Sequence, residues 1–294
     1  MKIDKLIARR RFLDIFMWQC PLCQLPINVN EKAIQCANKH TFDKAKAGYV
    51  NLLPVQFKKS KSPGDDKEMV RARRMFHEQK GYQPLKDTMC EILARYLASQ
   101  SLENTPLTLY DAGCGEGSYL HACVKGLKES GFILDCAGSD ISKTAVELAA
   151  KAYKSCQFVV ASSFDLPLQN STLDAAIQVF APGSAEEYAR ILKPHGVLLT
   201  VDPAPRHLFE LKSLVYSDPQ PHKDEPTERE GFNQIKHENL SYTLSLPSPE
   251  QRLALVKMTP YYWRLTPEKL DKVVENLASV TVDFNIQVFS LSSS

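Results

Sequence analysis

The sequence predicts an α/β fold: a mostly parallel, doubly wound sheet preceded by a small N-terminal domain that needs a metal to fold. Three observations predict it. From Leu107 to Asp202, short apolar segments alternate with helical ones, the pattern of right-handed crossovers and a parallel sheet with helices on both faces. At the first strand-to-helix turn stands Asp111-Ala112-Gly113-Cys114-Gly115-Glu116-Gly117. Its three glycines, at every second position, let the backbone turn sharply and lie against a ligand. Upstream, Cys20-x2-Cys23-x12-Cys36-x3-His40 supplies four ligands at the spacing of a closed tetrahedral site.

The elements follow in chain order. Residues 1–16 are basic but lack an apolar core and a small-residue cleavage site, so a secretory signal is not expected. Asp4 and Asp14 argue against a transit peptide, and Met17 offers an alternative start that leaves 1–16 as a disordered or mis-started extension. Residues 17–50 are rich in Cys, Asn, Gln and Lys with little helical periodicity; such a segment needs a staple, here zinc. Residues 51–83 form a basic linker, with the turn Ser62-Pro63-Gly64-Asp65 and a helix from Asp66 to Phe76. The large domain, 84–294, opens with a helix over Pro84–Ser99, where Leu85, Met89, Ile92, Leu93 and Leu97 share one face. Strands are expected at Thr108–Ala112, Ile133–Ser139, Gln157–Ala161, Asp174–Phe180 and Gly196–Asp202. Helices are expected at Ser118–Ser130, Lys143–Tyr153 and Ala185–Leu192. Beyond Asp202 the alternation loosens. A helix over Pro205–Tyr216, a mobile, lid-like insert near 217–250, a helix over Lys269–Leu277 and a final strand over Asp283–Leu291 complete the reading.

Net charge is only +2, so any affinity for nucleic acid must come from local clusters. No apolar stretch reaches the length of a membrane span, and no membrane partner is expected. Of eight cysteines, the last five (90, 114, 123, 136 and 156) lie among apolar positions and read as the buried, reduced thiols of a cytoplasmic protein.

Four protein ligands close a zinc site, so Cys20, Cys23, Cys36 and His40 predict a structural ion whose binding folds the segment. A redox Cys-x-x-Cys is the lesser alternative, because no thioredoxin-like strand precedes it. The glycine spacing, D-x-G-x-G-x-G, differs from the dinucleotide fingerprint G-x-G-x-x-G and resembles motif I of S-adenosylmethionine-dependent methyltransferases. That resemblance implies a Rossmann-like class I methyltransferase fold and disfavours an NAD-dependent oxidoreductase. Loop amides between Asp111 and Gly117 would meet the carboxylate of the cofactor's methionine end. Asp140, ending the second strand beside Ile141, would take the ribose hydroxyls, unless it is an ordinary helix-capping acid in competition with Ser142. Ser162 and Ser163 follow the third strand and would reach the adenine edge, or are merely loop polarity. Between Gln56 and Arg74, seven bases (Lys58, Lys59, Lys61, Lys67, Arg71, Arg73, Arg74) outnumber three acids. This is either a track for RNA phosphates or a solvated helix face.

Together these features resemble the RlmA family of 23S ribosomal RNA (guanine-N1)-methyltransferases. The family-like stretches are GYVNLLPVQ (Gly48–Gln56), PGD (Pro63–Asp65), Glu68-Met69, ARR (Ala72–Arg74), GYQPL (Gly81–Leu85), DAGCGEG (Asp111–Gly117), ASS (Ala161–Ser163), Ala181-Pro182, PRHL (Pro205–Leu208), MTP (Met258–Pro260) and DFNI (Asp283–Ile286). The linker looks like the proteobacterial branch. The resemblance implies methylation of a guanine N1 in a domain II hairpin near the peptide exit tunnel, by a homodimer whose zinc domains help form an RNA cleft. It also implies cofactor contacts from Tyr82, from Asp111, Gly113, Gly115, Glu116 and Gly117 with Ser118 and Tyr119, and from His207. By residue type alone, Tyr82 would equally be a buried aromatic, and His207 an ordinary residue at a helix start. Residues 1–16 have no place in the pattern.

Guanine N1 carries a proton at neutral pH, so transfer needs a base or anion-stabilising groups. Asp65, Asp202 and His207 are the candidates, with Arg206 steadying charge at O6. Tyr119 or Phe180 would stack on a flipped base, although a core position is the simpler expectation for Phe180. Two other functions stay open: a zinc-bearing methyltransferase acting on a small molecule or another RNA, and a non-catalytic RNA-binding protein.

Overall fold

The computed structural model describes residues 17–29, 33–57, 64–100, 105–223 and 228–292. The expectations for residues 1–16 and for Lys58, Lys59 and Lys61 lie outside the described residues.

Two sheets form. The small one is antiparallel, β1 (Ile27–Val29), β2 (Ala33–Cys36) and β3 (Thr41–Asp43). The large one begins with β4 (Val50–Asn51) and continues through β5 (Leu107–Ala112), β6 (Leu134–Asp140), β7 (Gln157–Val160), β8 (Leu173–Val179), β9 (Leu192–Pro203), β10 (Phe232–Ser245) and β11 (Ser279–Leu291). Its strand order is β10-β11-β9-β8-β5-β6-β7-β4. Pairing is parallel from β9 to β4, and β11 runs antiparallel to both β9 and β10. The chain leaves central β5 toward β6 and β7, then crosses back to β8 and β9. The order reverses at β5, and the crevice beyond the strand ends there is where such sheets bind ligands.

The helices are α1 (Lys67–Glu78), α2 (Gln83–Ala98), α3 (Ser118–Glu129), α4 (Lys143–Ala152), α5 (Ala185–Ile191), α6 (Phe209–Val215), α7 (Pro249–Lys257) and α8 (Pro267–Asn276). Their starts follow local chemistry: the side chains of Asp66, Ser142, Ser184, Ser248 and Thr266 each accept a backbone N–H of the following first turn. Strand alternation sorts the core into two layers. Leu107 and Leu109 of β5 face one, with α2 and α3, while Tyr110 and Ala112 face the other.

That second layer also holds the N-terminal segment. Met17, Trp18, Cys20, Ile27, Ile34 and Cys36 are buried in one cluster with Tyr110, Ala112, Leu166 and Leu168. The Trp18 indole N–H donates to Gln157 Oε1 at 2.5 Å, and the Gln19 amide donates to the Pro167 carbonyl at 3.0 Å. β4 then extends the edge of the large sheet beside β7. The small zinc-ligand segment is therefore docked on the sheet through a shared core.

The largest departure from expectation is at 217–250. Rather than one mobile insert, this segment contains the 14-residue edge strand β10. Its side chains alternate between half-buried and exposed, with Ile235 42% exposed. Its second half alternates, with Leu240, Tyr242 and Leu244 half-buried against the core between exposed Ser241 and Thr243, whereas residues 233–239 are polar or charged apart from Ile235, and charge on an edge is a guard against unwanted pairing.

Candidate active site and metal centre

The ligand cluster is built from two tight turns. The Gln24 amide donates to the Cys20 carbonyl at 2.8 Å, and the Lys39 amide to the Cys36 carbonyl at 2.9 Å. These turns bring Cys20 and Cys36 Sγ within 3.5 and 3.4 Å of His40 Nδ1, and Cys23 Sγ within 3.7 Å of Cys36 Sγ. All four ligand atoms lie within 4.8 Å of one another. A tetrahedral zinc with Zn–S near 2.3 Å and Zn–N near 2.05 Å requires edges of about 3.8 Å between sulfurs and about 3.6 Å between sulfur and nitrogen. The donor set thus fits zinc in both chemistry and size. Three thiolates and an imidazole leave no open position, so the ion would brace the fold rather than act on substrate. Burial pushes the Cys20 thiol up to about 11, whereas the backbone at Leu25 draws Cys23 down to about 7.

The second site is a cleft of about 590 Å³ at the ends of β5, β6, β7 and β8. Gly113 has φ +81°, and a Cβ there would stand 2.4 Å from the Ala181 Cβ; only glycine lets the loop pass under the β8 turn. The Gly113 and Cys114 amides both donate to the Ser139 carbonyl at 2.8 Å. Asp140 joins two walls: Oδ2 accepts the Gly115 amide at 2.9 Å and Oδ1 the Ser142 amide at 2.7 Å. Burial raises its carboxyl, and those two amides oppose the shift. Each oxygen keeps one lone pair for a ligand.

Tyr82, Gly113, Gly115, Glu116, Tyr119, Asp140, Ile141, Ser162, Ser163 and His207 all line this cleft. Glu116 is buried; Oε1 accepts the Ser118 amide at 3.3 Å and Oε2 has no partner among the described residues. Asp111, Gly117 and Ser118 do not line it. Asp111 lies buried beneath the loop, where desolvation drives its carboxyl well up. Gly117, at φ +88°, passes the Tyr153 ring, which a Cβ would meet at 2.9 Å. A long cleft at a switch point, with a glycine loop, a strand-end acid and an unpartnered buried carboxylate, fits S-adenosylmethionine. The loop would hold the methionine end and Asp140 the ribose; the donor supplies an electrophilic methyl group.

Opposite the loop, Tyr82 and His207 are both buried, with the Tyr82 hydroxyl 3.5 Å from His207 Nε2. His207 Nδ1 accepts the Asp283 amide at 3.3 Å, so a neutral ring carries its proton on Nε2. Burial lowers this imidazole to about 3. With its free lone pair already bonded, His207 is placed as a donor rather than as a base. Asp65 reaches the cleft but is paired with Arg73, Oδ2 to Nη2 at 2.6 Å.

Asp202 does not line the cleft. Strand alternation turns it away from Val201 and Pro203, toward the layer of Tyr188. Arg206 is exposed and does not line the cleft either. Phe180 is not a core residue: at the end of β8, at φ +52° and 40% exposed, it stands at the cleft with its ring 6.3 Å from Tyr119 and 5.9 Å from His207.

The basic linker is partly turned inward. Arg73 faces the glycine loop. Arg74 bonds Glu78 at 2.8 Å and the Leu148 carbonyl at 3.3 Å and lies over the Tyr153 ring, fastening α1 to α4. Arg71 is exposed. Sequence reasoning missed His77, His222 and Tyr261 among the lining residues. The nearby MTP stretch signalled Tyr261; nothing local signalled His222.

Comparison with known proteins places these features. A family model described as "RlmA, N-terminal" matches residues 18–61, and one described as "Methyltransferase domain" matches 110–200. The 23S rRNA (guanine(748)-N(1))-methyltransferase of Streptomyces fradiae is 31% identical over 268 residues, covering 89% of this chain and 91% of its own. Relatives from Bacillus subtilis and Micromonospora griseorubida, both carrying provisional 23S rRNA (guanine-N1)-methyltransferase names, are 30% and 31% identical over 95% and 90% of this chain and 99% and 93% of theirs. Among solved structures, Haemonchus contortus phospholethanolamine N-methyltransferase 2 matches at 16% identity and a TM-score of 0.41, covering 69% of this chain and 52% of that one. A metal ribbon docked on a methyltransferase sheet, with such identity along almost the whole chain, shows that the chain belongs to the RlmA family of S-adenosylmethionine-dependent 23S rRNA (guanine-N1)-methyltransferases.

Proposed function

We propose that this chain methylates N1 of a guanine in a domain II hairpin of 23S ribosomal RNA, in the cytoplasm and as a homodimer. The observation that carries the chemistry is the joining of two chemistries in one cleft. The glycine loop and Asp140 line it together with Phe180, Ala181 and Pro182, Ala181 lying directly against Gly113. Exposed Phe164 and Phe180, 58% and 40% accessible, offer apolar faces at its mouth. A base leaving its stack finds such rings a replacement for its neighbours. The protein's part is alignment: Asp140 and the loop fix the donor, the aromatics fix the acceptor, and the cleft keeps the reacting atoms in line. The family supports guanine N1 as acceptor, and the linker stretch supports the proteobacterial branch. Among the described residues, no helix is long and apolar enough to cross a membrane.

The test is methylation of protein-free 23S ribosomal RNA with labelled donor, followed by mapping of the modified nucleotide. N1-methylguanine in domain II is expected; labelling of small molecules only would favour a small-molecule methyltransferase. RNA affinity should fall with salt at a log–log slope of about −3 if Lys58, Lys59, Lys61 and Arg71 each meet a phosphate, and a flat profile would remove the linker from the interface. Phe180→Ala should cut kcat/KM for RNA about tenfold, the lower range for one lost stacking contact. Binding of S-adenosylhomocysteine should be unchanged, and equal losses in both would mean that Phe180 shapes the cofactor site instead.

A further inference from the structure

The methionine end of the donor carries a carboxylate, and a carboxylate taken out of water must be paired or hydrogen-bonded. Few donors remain for it in the glycine loop. The Gly113 and Cys114 amides are spent on the Ser139 carbonyl, Gly115 on Asp140, Gly117 on the Cys114 carbonyl at 2.9 Å and Ser118 on Glu116. From Gly113 to Ser118, only the Glu116 amide keeps no partner among the described residues. The cleft is also short of positive charge. Asp65, Glu116 and Asp140 line it, whereas Arg73 is the one lysine or arginine among the described lining residues. The lining histidines are no substitute, since burial lowers the imidazoles of His77, His207 and His222. An anion brought among three carboxyl groups needs a fixed cation beside it.

Helix α1 places Arg73 there. Met69, Arg73 and His77 follow one another at four-residue spacing on one helix face, and all three line the cleft. Arg74, one position on, is turned instead to Glu78 and the Leu148 carbonyl. The start of α1 is fastened on two sides: the Asp65 carbonyl accepts the Ser142 hydroxyl at 3.0 Å, and Glu68 pairs with Lys257. The two terminal nitrogens of the guanidinium have different surroundings. Nη2 meets Asp65 Oδ2 at 2.6 Å, while Nη1 lies 3.5 Å from the point where a Cβ on Gly115 would stand. Nη1 has no partner among the described residues. A guanidinium offers five N–H donors, so one carboxylate does not exhaust it. Glycine at 115 keeps the gap beneath Nη1 open for a ligand.

We propose that Arg73 binds the carboxylate of the donor's methionine end through Nη1, with the Glu116 amide as the second donor, and does not bind an RNA phosphate; the assignment rests on S-adenosylmethionine as the methyl donor. Asp65, on the other terminal nitrogen, orients the guanidinium. The amino-acid part of the cofactor is thereby held by two elements, α1 before β5 and the glycine loop after it. Hydrogen bonds between a guanidinium and a carboxylate are among the stronger ones, and the planar fork selects for such an anion. Of the described linker arginines, Arg71 alone is left exposed for phosphates.

The experiment is calorimetry on the zinc-loaded full chain with two ligands: S-adenosylhomocysteine, and its decarboxylated analogue, which keeps the amine. The wild type, Arg73→Gln and Arg73→Lys are compared. Arg73→Gln should bind S-adenosylhomocysteine about tenfold or more weakly, the lower range for a hydrogen bond to a charged group, and Arg73→Lys should recover part of the loss. The decarboxylated analogue should bind the wild type more weakly than S-adenosylhomocysteine does, and should bind Arg73→Gln no more weakly than the wild type. RNA affinity, measured without donor, should be unchanged in both variants. Equal losses for the two ligands overturn the assignment, since Arg73 would then only shape the cleft. An unchanged affinity for S-adenosylhomocysteine with weakened RNA binding overturns it in favour of the RNA interface. A wild type that binds no S-adenosylhomocysteine overturns it together with the donor on which it rests, whereas with a binding wild type a failure touches Arg73 alone.

Discussion

A Cys36→Ser protein is expected to lose its zinc and, with it, most RNA methylation. Cys36 ends β2 and stands 3.4 Å from His40 Nδ1 and 3.7 Å from Cys23 Sγ, sharing two edges of the ligand tetrahedron. A serine hydroxyl is a poor replacement for a thiolate, and zinc in such segments contributes about 10–16 kcal/mol toward folding at neutral pH. The cluster is not an isolated bead: Cys20, Cys36 and Ile34 share a buried core with Tyr110, Ala112 and Leu168. Releasing the ion should therefore lower the melting temperature of the whole chain as well as unravel the small sheet. Among the described residues the cleft is lined by those from Gly64 onward, so S-adenosylhomocysteine should still bind to protein that remains folded. Metal analysis, RNA methylation and calorimetry on one preparation read the three effects. Full zinc content, or full activity without zinc, would refute the assignment of this cluster.

Asp140→Ala is expected to weaken cofactor binding severely. The carboxylate accepts two backbone amides, from Gly115 and Ser142, and so ties the glycine loop to the start of α4. Hydrogen bonds to a charged group are worth about 1.5–3 kcal/mol each. Truncation frees both amides in a buried place before any ribose contact is counted. A fall in affinity of about a hundredfold or more is expected, since two such bonds at the low end already amount to about 3 kcal/mol. Asp140→Asn keeps one carbonyl oxygen and should fall between alanine and the wild type. Calorimetry with S-adenosylhomocysteine decides the matter, and an unchanged affinity for the alanine variant would remove Asp140 from the cofactor site.

The metal ligands were legible because their chemistry is local: four residues within one short segment, at spacings that a tetrahedral ion imposes. The glycine loop was legible for a similar reason, since Gly113 and Gly117 at φ +81° and +88° occupy backbone space that other residues rarely adopt. The seven-residue buried run of β8 and the caps at Asp66 and Ser142 made the parallel sheet and its helices readable too. By contrast β10 was missed, because its first half is polar and held by pairing with β11, and the alternation of Leu240, Tyr242 and Leu244 against the core is short.

What the sequence by itself determined, then, is the set of local structures and their chemistry: the metal ribbon, the turn that grips a cofactor, and the order of strands and helices. Only the tertiary structure decided which side chains meet. It placed Arg73 in the cleft and Arg74 on a helix seam, turned Asp202 to the far face of β9, and brought His222 beside Tyr261, 39 residues along the chain. The physical reason is range. Backbone preference and ligand spacing act over a few residues and leave a mark in the sequence. The direction of a side chain depends on which face of its element is buried by segments distant in the chain, and charge or residue type alone does not record it.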